Sequence, residues 1–541
     1  MEYNLADIFE CAVDRYPDRE YLVADGIRRT YREMDERSNQ LAHYLASQGI
    51  GKDDHVGIYA YNCVEWVETL WAVFKLRAVW ININYRYVND ELAYLFRNAD
   101  LKAMVYQRQF GPSIAQVKDA LPDLQFSLCV DDGTDVENIL DSADYASAIA
   151  SQSNQRAFAP RSGDDKYMIY TGGTTGMPKG VVWRHEDVFF ALGGGIDLVT
   201  GEAVKHPDEV IDRGAAYQAC LMPLAPLMHG ASQWAVMGSA FEGRKVVMFS
   251  QFDPQLAWRN VATEGVNVFF ITGDAMARPM IEAYEQQKDS IDATSLFAVS
   301  SSAVVFSSSL KDQYLSHFPN LMILDSIGAS ETGGTGTLAV EKGKTGMKGG
   351  PTVKPGQGTV VLDMDTLLPL TPDSDKVGMV ARAGYIPQGY YKDPKKTAET
   401  FIQANDGKRY AVPGDFAQYE SDGTMTMLGR GSACINSGGE KIFPEEVESA
   451  VKSHPQVYDV TVIGVPDERW GSTVCAIIQS RGTVPELASI QSHCRQFIAG
   501  YKVPRKLFLV EKIERAPSGK PDYRWAKAVT DAAFASETTP E

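Results

Sequence analysis

Apolar positions in the first part of the chain switch between two spacings. Leu5, Ile8, Phe9, Ala12, Val13 and Tyr16 recur at helical intervals, predicting an amphipathic helix at the start. Thr30 and Glu33 form a capping-box pattern ahead of Met34, Leu41, Ala42 and Leu45, so a second helix begins there, and Gly49 supplies its stop. "HVGIYA" (55–60), an apolar helix through about residue 76 and "VWINI" (79–83) then read as a β-α-β unit. "AMVY" (103–106) and "SLCV" (127–130) continue the alternation as strands. Residues 131–166 are polar and acidic and predict a surface segment that delivers the chain to the strand "YMIY" (167–170).

The same alternation returns at "RKVVMF" (244–249), "VNVFFIT" (266–272) and "LMILDSI" (321–327). Residues 333–359, rich in Gly, Lys and Thr, predict mobile surface loops. The texture changes from about residue 433. Pro444 opens a helix in "PEEVESAVKSH", "VYDVTVIGV" and "STVCAIIQS" read as strands, and a second helix is expected near 485–498. That is a compact α+β unit of about a hundred residues. No internal repeat or low-complexity tract interrupts the pattern.

Length and charge change the picture in two ways. A chain of 541 residues exceeds one ordinary core, and about three to four domains are expected. With 52 basic and 70 acidic residues the net charge is −18, which argues against a broad nucleic-acid footprint. An anionic substrate is still allowed, because a local cluster of N–H groups and lysines binds phosphate on an acidic protein. The seven cysteines are far apart and form no C-x-x-C pair, so reduced thiols are expected rather than a disulfide framework or zinc site. The N-terminal stretch carries acids and no long apolar run, unlike a signal peptide. No segment approaches the roughly 18 to 20 apolar residues of a membrane span, and a cytoplasmic protein is expected.

The chemistry begins at "YTGGTTGMPKGVV" (170–182). A tight turn needs one or two glycines. This stretch removes side chains and then returns only hydroxyls and one cation, a composition for surrounding an anion. It is not a P-loop, since Lys179 sits between Pro178 and Gly180 and a strand follows instead of a helix. Backbone N–H groups with the hydroxyls of Thr171, Thr174 and Thr175, around Gly172 and Gly173, can wrap a polyphosphate. Lys179 would neutralise charge there. A glycine-rich surface hairpin is the alternative.

The stretch "YTGGTTGMPKG" resembles the phosphate loop of the adenylate-forming superfamily of acyl-CoA synthetases, peptide-synthetase adenylation domains and luciferases. Five more motifs of that superfamily follow in order across nearly the whole chain. They are "PLMHGA" (226–231), "DSIGASETG" (325–333), "VPGDF" (412–416), "LGRGSACINSGGEKIFPEEVE" (428–448) and "PSGKPDYR" (517–524). The likeness is greatest to bacterial fatty-acyl and steroid-side-chain CoA synthetases. It implies an α/β chain with a large N-terminal domain of α/β subdomains over 1–428, a hinge at 429–432 and a smaller mobile α+β domain over 433–541.

Roles are implied residue by residue. Glu331 matches the Mg²⁺-binding glutamate, with Ser330 where threonine is more usual and Gly328 beside it at the nucleotide. Asp415 matches the aspartate that accepts both ribose hydroxyls, on the stiff turn of Pro413 and Gly414. Arg430 matches the arginine contacting ribose or phosphate at the hinge. Lys520 matches the catalytic lysine bridging the substrate carboxylate and the α-phosphate, two anions that need a shared cation. Thr171 joins Lys520 and Glu331 as a catalytic candidate. Gly438 and Gly439 match the bare segment along which a pantetheine arm slides. His229 matches the residue at the floor of the acyl pocket, a core histidine satisfied by a carbonyl being the alternative. Gly230 and Trp234 on the same segment (229–234), Gly273 in 272–277 and Ala329 in 327–336 are also expected to line that pocket. Trp183 and His185 are read as packing.

Departures occur at Ser432, where Asp or Lys is common in the superfamily, and at Asn436, where Lys is often found. The implied reaction is acid–thiol ligation with ATP, Mg²⁺ and CoA: an acyl adenylate forms with pyrophosphate, then the thioester with AMP. Three rivals are weighed. An amino-acid adenylation domain would carry an aspartate where Gly230 stands. A fatty acid–AMP ligase loading a carrier protein remains open, although no extra insertion precedes the hinge. A non-catalytic nucleotide-binding homologue would not be expected to keep Lys179, Glu331, Asp415, Arg430 and Lys520 together. The pocket segments are dominated by Gly, Ala, Ser and Thr, favouring a bulky or long acyl group. Fatty, alicyclic and steroid side-chain acids stay open, as does a homodimer.

Overall fold

Helix Leu5–Arg15 is capped by Asn4, whose side chain accepts from Ala6 N at 2.9 Å. Thr30 and Glu33 do form the reciprocal capping box, at 3.1 and 2.8 Å, that starts helix Tyr31–Ser47. The computed structural model describes residues 3–87, 89–171, 177–197, 201–340, 351–437, 440–467, 470–516 and 519–537.

The predicted β-α-β unit is the centre of an eight-stranded sheet. Its order runs Gly389–Tyr390, Lys179–Arg184, Lys166–Thr171, Val79–Asn82, His55–Tyr59, Leu101–Gln107, Phe126–Val130 and Ala143–Asp144. The inner strands His55–Tyr59 and Val79–Asn82 are buried along their whole length, as parallel strands covered on both faces must be. Helix Val64–Lys75 covers one face, and Trp71 stacks on Phe9 with ring centroids 4.2 Å apart. A second, larger sheet holds parallel strands Lys245–Met248, Cys220–Pro223, Val268–Ile271, Ala298–Ser301 and Met322–Ala329.

Two sequence expectations need correction. The stretch 333–359 is not all loop: Gly333–Val340 pairs antiparallel with Met322–Ala329, and Thr352–Pro355 and Thr359–Leu362 are also strands, while 341–350 lies outside the described residues. Gly336 and Gly358 mark close packing rather than loop freedom, since a Cβ on them would lie 2.6 Å from Val353 Cγ2 and 2.4 Å from Ala383 O. The segment 131–166 is also more than surface. Helix Tyr145–Ala150 buries Tyr145 and Ile149, and Tyr145 donates at 2.8 Å to the buried Glu68.

The C-terminal unit has a three-stranded sheet in which Gly471–Ser480 pairs antiparallel with Val457–Asp467 and parallel with Lys506–Val510. Helices Pro444–Lys452, Leu487–Cys494 and Tyr523–Glu537 accompany it. Between the units, strand Met425–Arg430 runs into the expected hinge, and a 3₁₀ turn, Gly431–Ala433, follows. Gly429 has φ +119°, and a Cβ there would lie 2.1 Å from Glu445 Oε2, so this end of the strand requires glycine. Among the described residues no helix is long and apolar enough to cross a membrane.

Candidate active site

The glycine stretch sits between two antiparallel strands, Lys166–Thr171 and Lys179–Arg184, with Thr171 opposite Lys179. Gly172, Gly173, Thr174 and Thr175 lie outside the described residues. The strand ends are held by a residue the motifs did not single out. Buried Asn82 accepts from Tyr170 N at 2.7 Å and donates to Tyr170 O at 3.0 Å and Met228 O at 2.7 Å. One amide thus ties the glycine stretch to the segment carrying His229. Lys179 forms an ion pair with Asp393, which also caps helix Pro394–Thr400 by accepting from Lys396 N at 2.9 Å. That lysine is the main reason the Asp393 carboxyl is held below its usual range.

Glu331 stands in the turn between Met322–Ala329 and Gly333–Val340. The turn is tight: a Cβ on Gly328 would approach Gly333 O to 2.4 Å, and Gly333 has φ +67°. Trp183 Nε1 donates to Ser330 O at 3.0 Å and Arg382 Nη1 to Thr332 O at 2.6 Å, so Trp183 anchors the turn as well as packing. Tyr390 donates to Glu331 Oε1 at 2.8 Å, and its own strand pairs with Val181 and Val182. Through Tyr390 the first sheet aims a carboxylate carried by the second.

Asp415 and Arg430 are register partners on adjacent strands, with Arg430 Nε 3.0 Å from Asp415 Oδ1. Lys520 comes from the other domain on a tight hairpin, where Ala516 N donates to Lys520 O and Gly519 N to Ala516 O, both at 2.8 Å. Gly519, at φ +79°, packs so closely that a Cβ would lie 3.2 Å from Thr272 Oγ1 and Ala275 Cβ. Burial, and then the Arg430 charge, push the Lys520 ammonium below its usual pKa, with Asp415 and Glu331 opposing. Lys520, Arg430, Asp415 and Glu331 therefore share one electrostatic neighbourhood.

If the protonated lysine is the working form, activity is lost as pH rises through its pKa. The pH profile of kcat/KM for ATP, which reports the free enzyme, is expected to show an alkaline limb below 10.5. A limb at or above that pH would contradict the shift.

His229 precedes helix Gly230–Phe241. Burial first, then the charges of Lys520 and Arg86, lower its pKa to about 4, so the imidazole is neutral at pH 7. Its Nε2 is buried with no partner among the described residues, which sets aside the carbonyl-satisfied alternative for that nitrogen. Trp234 Nε1, Thr272 Oγ1 and Ser302 Oγ are likewise buried without partners. Native proteins rarely leave such atoms unsatisfied, so each marks a place where a ligand or water can bond. Gly230 has a packing reason: a Cβ would lie 2.6 Å from Ile169 Cδ1 and 2.9 Å from the Trp234 ring. Gly273 is obligatory, since φ is +53° and a Cβ would lie 2.5 Å from the carbonyl oxygens of Val304 and Val305. Ala329 ends its strand, its N–H donating to Thr332 Oγ1 at 3.2 Å. Gly438 and Gly439 lie outside the described residues.

Sequence reasoning missed Asn82, Tyr390 and Asp393. Asn82 was detectable as the polar interruption of an otherwise apolar buried strand. Nothing local marked the other two.

The fold is that of the adenylate-forming enzymes. A crystal structure of an anthranilate CoA ligase in complex with anthranoyl-AMP matches with a TM-score of 0.85, covering 99% of this chain and 98% of that one at 21% identity. The chain belongs to the AMP-binding enzyme family. The model of the AMP-binding enzyme matches residues 9–391, and that of the AMP-binding enzyme C-terminal domain matches 446–520. A 3-oxocholest-4-en-26-oate–CoA ligase of Rhodococcus rhodochrous is 50% identical over 99% of this chain and 98% of its own length. A medium/long-chain-fatty-acid–CoA/3-oxocholest-4-en-26-oate–CoA ligase of Mycolicibacterium smegmatis is 48% identical over the same shares.

Proposed function

We propose that this protein is a cytoplasmic ATP-dependent acyl-CoA synthetase. Its preferred acid is the side-chain carboxylate of a steroid, and medium or long fatty acids are also accepted. The observation that carries the reaction is the neighbourhood of Lys520, Arg430, Asp415 and Glu331, assembled from two domains. The substrate class rests on the two full-length relatives and on small residues in the segments expected to line the pocket.

In the first half-reaction a carboxylate oxygen attacks the α-phosphorus of ATP, and the bond to pyrophosphate breaks. Lys520 lies between the two anions and offsets their repulsion. Asp415 accepts the ribose hydroxyls while Arg430 holds its other side. Lys179 exchanges Asp393 for the outer phosphates. Neutral His229 faces the acyl group without adding a charge beside it. Glu331 fits a Mg²⁺ site: Tyr390 engages Oε1, and Mg²⁺ needs only one or two carboxylates beside phosphate oxygens and water. When bound there, the ion would neutralise phosphate charge.

In the second half-reaction the sulfur of CoA attacks the acyl carbonyl, and AMP leaves. Residues 433–541 rotate on the hinge 429–432 against 1–428, withdrawing Lys520 and exposing the Gly438–Gly439 segment.

Acid-dependent ATP–pyrophosphate exchange, followed by CoA-dependent AMP release, tests the reading. Steroid side-chain acids and fatty acids are expected to support both steps, and α-amino acids neither. Exchange with amino acids alone would overturn the substrate class. Exchange without CoA thioester would favour a carrier-protein ligase.

A further inference from the structure

The Lys520 hairpin is braced by a line of charges that crosses between the domains. Arg515, just before the hairpin, donates bidentately to Asp459 at 2.6 and 2.8 Å, to Val460 O at 3.1 Å and, at the weak limit of 3.4 Å, to Gly519 O. Asp459 also meets Lys452 Nζ at 2.9 Å. Lys452 reaches across to the other domain, 3.1 Å from Asp274 Oδ2. The side chains of Lys452 and Asp274 are only 8% and 3% exposed, so this contact lies sealed in the interface.

Asp274 is itself rigidly placed. Its N–H donates to Val305 O at 3.0 Å, and Oδ1 accepts from Ser307 N at 2.7 Å. Oδ2 has no aligned hydrogen bond; Arg278 stands 3.8 Å away, and Arg481 and Arg515 of the other domain also feel its charge, but Lys452 makes the short contact. The contact with Lys452 is therefore Coulombic and aimed by the fold. Asp274 opens the helix on which Gly519 rests, so the charge contact and the hairpin contact lie on one surface.

We propose that Asp274 and Lys452 are positioning residues for adenylate formation, a sealed interdomain ion pair that seats the Lys520 hairpin. This rests on the acyl-CoA synthetase reading above. The pair exists only while the domains sit as they do here. Once they rotate, Lys452 keeps Asp459 and Asp274 keeps Ser307 N and Arg278, so neither domain loses its own network. Both separated charges regain water, which keeps the pair from trapping the docked pose.

The full-length protein is compared with Lys452→Met, Asp274→Asn, the double variant and Lys452→Arg. Single-turnover adenylate formation and CoA transfer from supplied acyl adenylate are measured separately. Interdomain fluorescence energy transfer reports docking without chemistry. Each single variant is expected to slow adenylate formation by about tenfold, the scale of coupling between contacting charges. Each should also lower the docked fraction, with transfer to CoA near wild type. The double variant should be no slower than the slower single variant, and Lys452→Arg should restore part of the rate. Multiplying losses in the double variant, or equal losses in both half-reactions, would overturn the pair's role. If Asp274→Asn does not fold, Lys452→Met alone decides through the half-reaction split and the docked fraction. A wild-type protein inactive in both half-reactions would sink the ligase reading, and energy transfer would still test the pair.

Discussion

Lys520→Ala is expected to lose a factor of about 10²–10³ in acyl-adenylate formation while transferring a supplied acyl adenylate to CoA at near wild-type rate. Removing one preorganised electrostatic stabiliser typically costs about 3–4 kcal/mol, which corresponds to that factor. In the proposed reaction the lysine would bridge a carboxylate and a phosphate, and in the structure it feels the charges of Arg430, Asp415 and Glu331. Thioester formation has no anion pair of that kind to bridge. Ser432→Pro is expected to show the reverse split, because fixing φ in the turn Gly431–Ala433 hinders rotation more than the docked pose. Stopped-flow measurement of both half-reactions in both variants decides the matter. Equal losses in the two half-reactions of Lys520→Ala would refute alternation of the domains.

Glu331→Gln is expected to lower adenylate formation by about a hundredfold at ordinary Mg²⁺, with partial recovery at high Mg²⁺. The substitution keeps the shape of the turn and the acceptor for Tyr390, and removes only the charge. Loss of a group that orients a metal ligand already costs about 10- to 100-fold, so loss of the ligand's charge should reach the upper end. Tyr390→Phe, which frees Glu331 Oε1, should fall at the lower end. The check is a Mg²⁺ titration of the rate beside Mn²⁺ binding followed by electron paramagnetic resonance in the presence of ATP. A Glu331→Gln titration that overlays wild type would remove the residue from the metal site.

The sequence alone determined the strongly periodic local elements and the inventory of chemical groups. Helix and strand periodicities set the β-α-β unit, because burial on one face or both leaves a repeating apolar pattern whatever the partner. The capping box at Thr30 and Glu33 was readable because both of its bonds close within four residues. The six motifs named candidate residues for the chemistry and implied a family, and the family match agrees with that family.

What the tertiary structure decided was partnership. Lys179 and Asp393 are 214 positions apart, and nothing near either marks the other. Tyr390 reaches Glu331 only because a two-residue strand joins the edge of the first sheet beside the turn of the second. The strands within 333–359 looked like loops because glycine has low intrinsic strand preference. Close backbone approach overrides that preference, and such approach appears only once the chain is packed. The same holds for Gly230, which the sequence presents as a missing charge and the fold presents as missing space. Local spacing records how deeply a residue is buried, whereas the choice of neighbour is a long-range outcome of packing two domains together.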